Sequence, residues 1–140
     1  MLLGLQHAHK YLGYLTFLLA IGGLVLALAG AGKDAGKAAL LSKVHGIGFL
    51  NSGRLNIVLG IALLIMKFGV AGAFASWGWW AGLIIWGACE PVGKRLVQGE
   101  LATVQAGGQA SKKLVIGTVL EVGLLTAIIG LMTMTRLGKL

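Results

Sequence analysis

The sequence predicts an all-α integral-membrane protein with four transmembrane helices, and its composition and the lengths of its apolar runs support that prediction. Of its 140 residues, 57% are hydrophobic and only 11% are charged, whereas soluble domains carry about 25% charged residues. The apolar residues gather in runs of roughly 20, the length that a helix needs to cross a bilayer core of about 30 Å. The runs lack the alternation of membrane β-strands, so helices rather than a barrel are expected.

Four such runs follow one another along a single domain, residues 1–140. We expect spans over residues 10–31, 44–67, 73–95 and 114–135. The link around residues 69–72 is too short for anything but an antiparallel hairpin. The links over 32–43 and 96–113 are longer and polar, and the second includes QAGGQASKK, which is typical of a flexible loop. These connections predict an up-down-up-down antiparallel four-helix bundle.

Basic residues near the ends of the spans predict the orientation of the bundle. On the side of the two long links lie Lys33, Lys37, Lys43, Lys94, Arg95, Lys112 and Lys113. On the opposite side lie Lys10, Lys67, Arg136 and Lys139. Because Lys and Arg are in excess on the cytoplasmic side, links 32–43 and 96–113 are expected in the cytoplasm and both termini outside the inner membrane of a bacterium. The formal net charge of +8 is spread over both sides, which favours contact with the lipid bilayer over binding of nucleic acid.

Ionisable residues inside the spans are costly in lipid and therefore mark candidate functional positions. Counted from the cytoplasmic flanks, Arg54, Glu90 and Glu121 lie about 16, 6 and 12 Å deep. With Asn51, they are expected to converge in an intramembrane polar cluster. Two interpretations fit the cluster: a proton relay or polar ligand site, or a charge-paired clamp that specifies helix packing.

The second span is polar on two sides. At 100° per residue, His45, Ser52 and Asn56 share one face of the helix. Asn51 and Arg54 lie roughly opposite them. A single bundle interior is not expected to take both faces, so the sequence predicts a homo-oligomer or a complex with other membrane subunits.

Two histidines are candidate ligands for haem b or a quinone. His9 begins the first span and His45 begins the second. Haem iron accepts His or Met as axial ligands, and Met132 and Met134 end the fourth span on the side of His9. His9 and His45 lie at opposite ends of the membrane and cannot share one iron. No cofactor is the first expectation, with haem b or quinone as the alternative, and the lone Cys89 excludes a multi-cysteine metal site.

The segments LQHAHKYLGYL and KVHGIGFLNSGRLN, with a Trp-led third span ending in a basic cluster, carry a resemblance to known proteins. They resemble the small four-helix bacterial inner-membrane proteins of the SirB-like type and their cytochrome-b-like relatives. The resemblance implies a role beside respiratory or electron-transfer complexes, with His9 and His45 as the matching positions. The absence of histidine from the third and fourth spans departs from the haem-carrying members.

The sequence shows no nucleophile–base pair, so an enzyme is not the first expectation. We expect an accessory, structural subunit of a larger membrane complex, respiratory or electron-transfer in kind. The alternative is a small redox protein that binds haem or quinone, or a proton-conducting or transport bundle that uses Arg54, Glu90 and Glu121.

Overall fold

A computed structural model describes residues 1–75 and 77–136, apart from the side chains of Thr135 and Arg136. The regular structure in these ranges is entirely helical, which confirms the all-α class. The helices are α1, Leu2–Leu26; α2, Ala35–Lys43; α3, Asn51–Ala75; α4, Trp77–Val92; α5, Gly99–Gln105; and α6, Lys113–Arg136. Wider π-helical turns extend or join them over Ala27–Ala31, Val44–Leu50 and Gly93–Gln98.

The π-helical turns make four long helices of these elements. The first long helix is Leu2–Ala31 and the second is Ala35–Ala75, which is interrupted at Gly69. The third covers residues 77–105, and the fourth is α6. Successive long helices lie antiparallel, as their side-chain contacts show. The pairs are Thr16 with Ser52, His9 with Asn56, Gly53 with Trp86, Ser42 with Gln98, Gly82 with Met132, and Gly93 with Glu121.

Among the described residues, three helices are long and apolar enough to cross a membrane: Leu2–Ala31, Ala35–Ala75 and Lys113–Met134. The predicted third span, 73–95, is not one of them. Its long helix, residues 77–105, has the length, but its apolar stretch ends at Cys89 and is followed by Glu90, Lys94 and Arg95, so it is less apolar than the other three. That span also crosses Ser76, and the orientation count includes Lys139; both lie outside the described residues.

The two long links contain more helix than the sequence analysis expected. Residues 32–34 and 106–112 are not helical, but α2 fills most of the first link and α5 lies within the second. The reason is packing: each short helix buries apolar side chains spaced three residues apart in a common core at this end of the bundle. These side chains are Ala38 and Leu41 of α2, and Leu101 and Val104 of α5.

Local interactions define where two of the helices begin and end. Asp34 caps α2 by accepting a hydrogen bond from the backbone N–H of Lys37 at 3.0 Å. That bond holds the pKa of the Asp34 carboxyl below its usual value. At the opposite end of the bundle, Gly69 has φ 70° and ψ 174° and breaks α3. Glycine adopts this conformation readily, and its position agrees with the hairpin expected around residues 69–72.

Two apolar cores follow each other along the bundle, and a polar layer separates them. The link-end core contains Ala27, Ala31, Ala38, Leu41, Val97, Leu101, Val104 and Leu114. The central core contains Ala20, Phe49, Leu50, Trp86, Cys89, Leu125 and Ile128. Between these cores lie His45 of the second long helix and Glu121 of α6, and Gln98 borders the link-end core next to Val97.

Candidate functional site

A buried histidine and a buried glutamate meet in the polar layer. His45 lies in the π-helical turn Val44–Leu50 of the second long helix, and Glu121 lies on α6. Nε2 of His45 and Oε1 of Glu121 are 2.6 Å apart, and the two residues are 2% and 1% exposed. Burial of an unpaired ionisable group is costly, so each of these side chains depends on the other.

Gln98 holds the opposite edge of the imidazole ring. Its Nε2 lies 2.8 Å from Nδ1 of His45 and donates to the carbonyl oxygen of Ser42 at 3.4 Å. Its Oε1 accepts a hydrogen bond from the hydroxyl of Ser42 at 3.2 Å. Since Ser42 orients the amide from both ends, the second N–H of Gln98 points at Nδ1 of His45. The hydrogen-bond network therefore assigns the ring proton to Nε2, which donates it to Glu121.

Two glycines lie against the site at positions where a side chain would collide with it. A Cβ on Gly93 would overlap Oε1 of Glu121 and lie 2.9 Å from Nε2 of His45. A Cβ on Gly46 would lie 3.2 Å from Nε2 of Gln98. A side chain at Gly93 would thus separate the third long helix from the pair that it covers.

The π-helical turns coincide with the site. His45 lies in one of them, and Gly93 and Gln98 begin and end another, Gly93–Gln98. Pro91 lies two residues before the second of these turns, and because it has no N–H it cannot donate to the carbonyl oxygen of Gly87. Such turns redirect side chains and occur frequently at functional sites.

Aromatic rings close the pair off from the central part of the bundle. Phe49 packs on the ring of His45 with 5.2 Å between ring centroids, and Trp86 packs on Phe49 at 5.7 Å. Both aromatic side chains are buried. Ser42 and Gln98, on the other side of the pair, are only half-buried. The half-buried Ser42 and Gln98 therefore connect the pair to the protein surface, on the side of the pair nearer the long links.

The structure brings together part of the predicted polar cluster. Arg54 donates to Glu90 and, through Nη1, to Oδ1 of Asn51 at 3.4 Å. Lys94 Nζ lies 2.8 Å from Oε1 of Glu90. Glu121 is not a member of this group, because α6 directs its carboxylate into the bundle toward His45. The Arg54 and Glu90 side chains are instead 46% and 24% exposed on the outer surface.

The second long helix is polar on two sides, as its sequence indicates. His45 and Ser52 are buried, whereas Asn51 and Arg54 are exposed. The hydroxyl oxygen of Ser52 lies 3.0 Å from that of Thr16, so a neighbouring helix satisfies the inner face. On the outer face Arg54 donates to Glu90, and the described residues leave the rest of that face exposed.

His9 and His45, the candidate haem or quinone ligands, differ in whether a ring nitrogen is free to bind a ligand. His9 donates from Nδ1 to the carbonyl oxygen of Asn56 at 3.0 Å, which leaves its Nε2 as an acceptor. Asn56 lies eleven residues from His45, or about 16 Å along the helix, so the histidines cannot share an iron. Both ring nitrogens of His45 already have partners. Of the two, only His9 fits an axial ligand without losing a hydrogen bond.

Other polar groups of the described residues also bear on ligand binding. At the His9 end, Oδ1 of Asn56 and Nε1 of Trp79 are buried and have no hydrogen-bond partner among those residues. Within the same part of the chain, no three His, Cys, Asp or Glu side chains lie close enough to hold a metal ion. Cys89 is a buried thiol of the central core.

Sequence reasoning missed Ser42, Gly93 and Gln98. Ser42 and Gln98 fell within links that were expected to be loops, where helical spacing carries no meaning. One signal in the sequence does point to this region: Pro91 in an apolar helix predicts disturbed hydrogen bonding in the turns around it.

Comparison of the chain with protein-family models, curated proteins and solved structures finds no match. The resemblance to SirB-like and cytochrome-b-like membrane proteins therefore stays a prediction. A functional proposal depends on the geometry of the site.

Proposed function

We propose that this is a proton-handling membrane protein that binds and releases one proton at the His45–Glu121 pair. One observation carries the proposal: two ionisable side chains are buried 2.6 Å apart between long apolar helices. Ionisable groups inside membrane spans are rare and mark proton relays and ion pathways. The pair takes the role that the sequence analysis gave to Arg54, Glu90 and Glu121 together.

The hydrogen-bond network indicates how the pair takes up a proton. With the ring proton on Nε2 and Glu121 ionised, the pair carries one negative charge, which an added proton neutralises. Protonation of His45 at Nδ1 would set two donors face to face, because Nε2 of Gln98 already points there. The added proton is therefore expected on the carboxylate of Glu121, whose Oε1 still accepts the hydrogen bond from Nε2 of His45.

The surroundings of the pair favour coupled proton transfer over an open channel. Ser42 and Gln98 give access from the link end, whereas Phe49 and Trp86 close the opposite side. In this conformation a proton enters and leaves on one side. Release on the other side requires the aromatic layer to move, as in a proton-coupled transporter or a proton-linked subunit of an electron-transfer complex.

The proposal includes a four-span topology in the inner membrane of a bacterium. The third span is formed by α4 with the residues that precede it and the turn that follows it. Exposed Phe68 and Trp77, at the hairpin end, suit the aromatic belt at a membrane surface. The long links, with their excess of Lys and Arg, face the cytoplasm, and both termini lie outside.

Replacing Glu121 by glutamine tests the proposal. Glutamine still accepts the hydrogen bond from Nε2 of His45 but cannot take up a proton. In infrared spectra recorded during a pH titration, the wild-type protein is expected to gain a protonated-carboxyl band at low pH that Glu121→Gln lacks. The matched control Glu90→Gln retains that band. A wild-type spectrum with no band dependent on Glu121 at any pH would contradict the proposal.

The accessory subunit expected from the sequence is a second candidate function. The exposed Asn51 and Arg54 on the second long helix favour it, because lipid tails cannot hydrogen-bond these groups. A second copy of the chain or another membrane subunit would cover them.

Native mass measurement after mild detergent extraction tests the second candidate. We expect a mass greater than that of one chain, with loss of the additional mass in Asn51→Leu, because leucine removes polar contacts of the outer face. Lys112→Gln, in the link 106–112, serves as the control and should keep the additional mass. A monomer with no co-purifying chain would exclude the accessory role.

A further inference from the structure

A groove lies on the outer surface of the third long helix, beside Arg54. It has a volume of about 440 Å³ and is lined by Gly87, Glu90, Pro91, Lys94 and Arg95. The groove is separate from the proton site, because His45 and Glu121 do not line it.

The groove has an excess of positive charge. Glu90 accepts hydrogen bonds from Arg54 and from Lys94, and the Lys94 Nζ to Glu90 Oε1 distance is 2.8 Å. Arg95 is exposed, and the described carboxylates form no ion pair with it. One carboxylate therefore faces three cations, which leaves two positive charges for an anionic ligand.

The position of the groove along the helix indicates which anionic ligand neutralises these cations. Lys94 and Arg95 follow the apolar residues of α4 and end the third predicted span. Residues at the end of a span lie at the level of the lipid phosphates, and long basic side chains reach toward that level. Glu90 lies one turn deeper, where it holds the side chains of Arg54 and Lys94 at the groove.

We propose that the groove binds the headgroup of an anionic phospholipid, with Lys94 and Arg95 on its phosphate. Phosphate oxygens form strong charge-assisted hydrogen bonds with Lys and Arg. Basic pockets on the cytoplasmic side of membrane helices bind anionic headgroups in this way. Glu90 positions the cations and limits the number of negative groups that the groove accepts. The proposal is independent of proton transfer at His45 and of any protein partner.

Native mass spectrometry in mixed micelles of phosphatidylglycerol and phosphatidylcholine tests the lipid proposal. We expect wild-type protein to retain phosphatidylglycerol in preference to phosphatidylcholine. The preference should fall about five-fold for each cation removed in Lys94→Gln/Arg95→Gln. The control Lys112→Gln/Lys113→Gln removes the same charge outside the groove and should leave the preference unchanged. Excess inorganic phosphate should not displace the lipid.

A variant that should bind the anionic lipid more strongly distinguishes loss of the groove's charge from loss of the fold. Glu90→Gln removes the negative charge from the groove and should raise the preference about five-fold, which a protein that had merely lost its fold could not do. The proposal would be overturned if the wild type showed no preference for phosphatidylglycerol, or if both double variants lost that preference equally. It would also be overturned if inorganic phosphate displaced the lipid, or if a protein chain co-purified with the wild type and was lost only from Lys94→Gln/Arg95→Gln.

Discussion

His45→Leu is expected to lower the free energy of unfolding by about 3 to 5 kcal/mol, the usual cost of leaving a buried charge without its partner. Leucine fills much of the space of the imidazole ring but leaves Glu121, which is 1% exposed, without its partner. Unfolding in mixed micelles of a mild and a denaturing detergent measures the loss. The loss should shrink at low pH, because a protonated carboxyl is less costly to bury than a carboxylate.

Two further variants separate the lost pair from lost packing. The double variant His45→Leu/Glu121→Leu should recover most of the stability, because an apolar pair replaces the ionisable one. Glu121→Gln should lose much less than His45→Leu, because it keeps an acceptor for Nε2 of His45. A stability of His45→Leu within about 0.5 kcal/mol of the wild type would contradict a dependence of Glu121 on His45.

Gly53→Ala is expected to destabilise the bundle by about 1 to 3 kcal/mol, the usual cost of overpacking a core. An added Cβ would overlap the ring of Trp86, which is itself packed against Phe49. The ring cannot turn away without disturbing the aromatic layer that closes the proton site. The same detergent-unfolding measurement applies, and the emission of the four tryptophans should change with it.

Gly22→Ala is the matched control for this substitution. Gly22 is also in a helix, but a Cβ there would meet no atom within 4 Å, so alanine should raise stability by about 0.5 to 1 kcal/mol. Trp86→Phe in the Gly53→Ala background should cost less than Trp86→Phe alone, because the smaller ring relieves the overlap. An equal change of the free energy of unfolding in Gly53→Ala and Gly22→Ala would show that Trp86 does not constrain position 53.

The approach of Arg54 to Glu90 was predictable from the sequence. They lie on consecutive antiparallel helices at depths that can be counted from the flanking lysines. Helical side chains lean toward the start of their own helix, so these two lean toward each other and can meet. The same count placed Glu121 with them, although the structure pairs it with His45. Depth along a helix follows from residue numbers, but the direction in which α6 faces follows from its packing against the first and third long helices.

The ends of the helices show a similar limit. The hairpin at Gly69 was predictable, because a short glycine-containing link between apolar runs allows little else. The helices α2 and α5 were not, because their stretches are short and polar and have too few apolar residues for a clear period. They are stabilised by contact of Leu41 and Leu101 within a common core, which forms only when both links lie side by side.

The sequence by itself determined the all-α class and the apolar helices long enough for a membrane, because composition and run length are properties of the chain alone. It also marked the ionisable residues that lipid makes costly. The tertiary structure decided which of them meet: it buried His45 against Glu121 under Gly93 and left Arg54 and Glu90 outside. The physical reason is that the choice depends on the rotation of each helix about its axis, which is set by the close packing of all four long helices together.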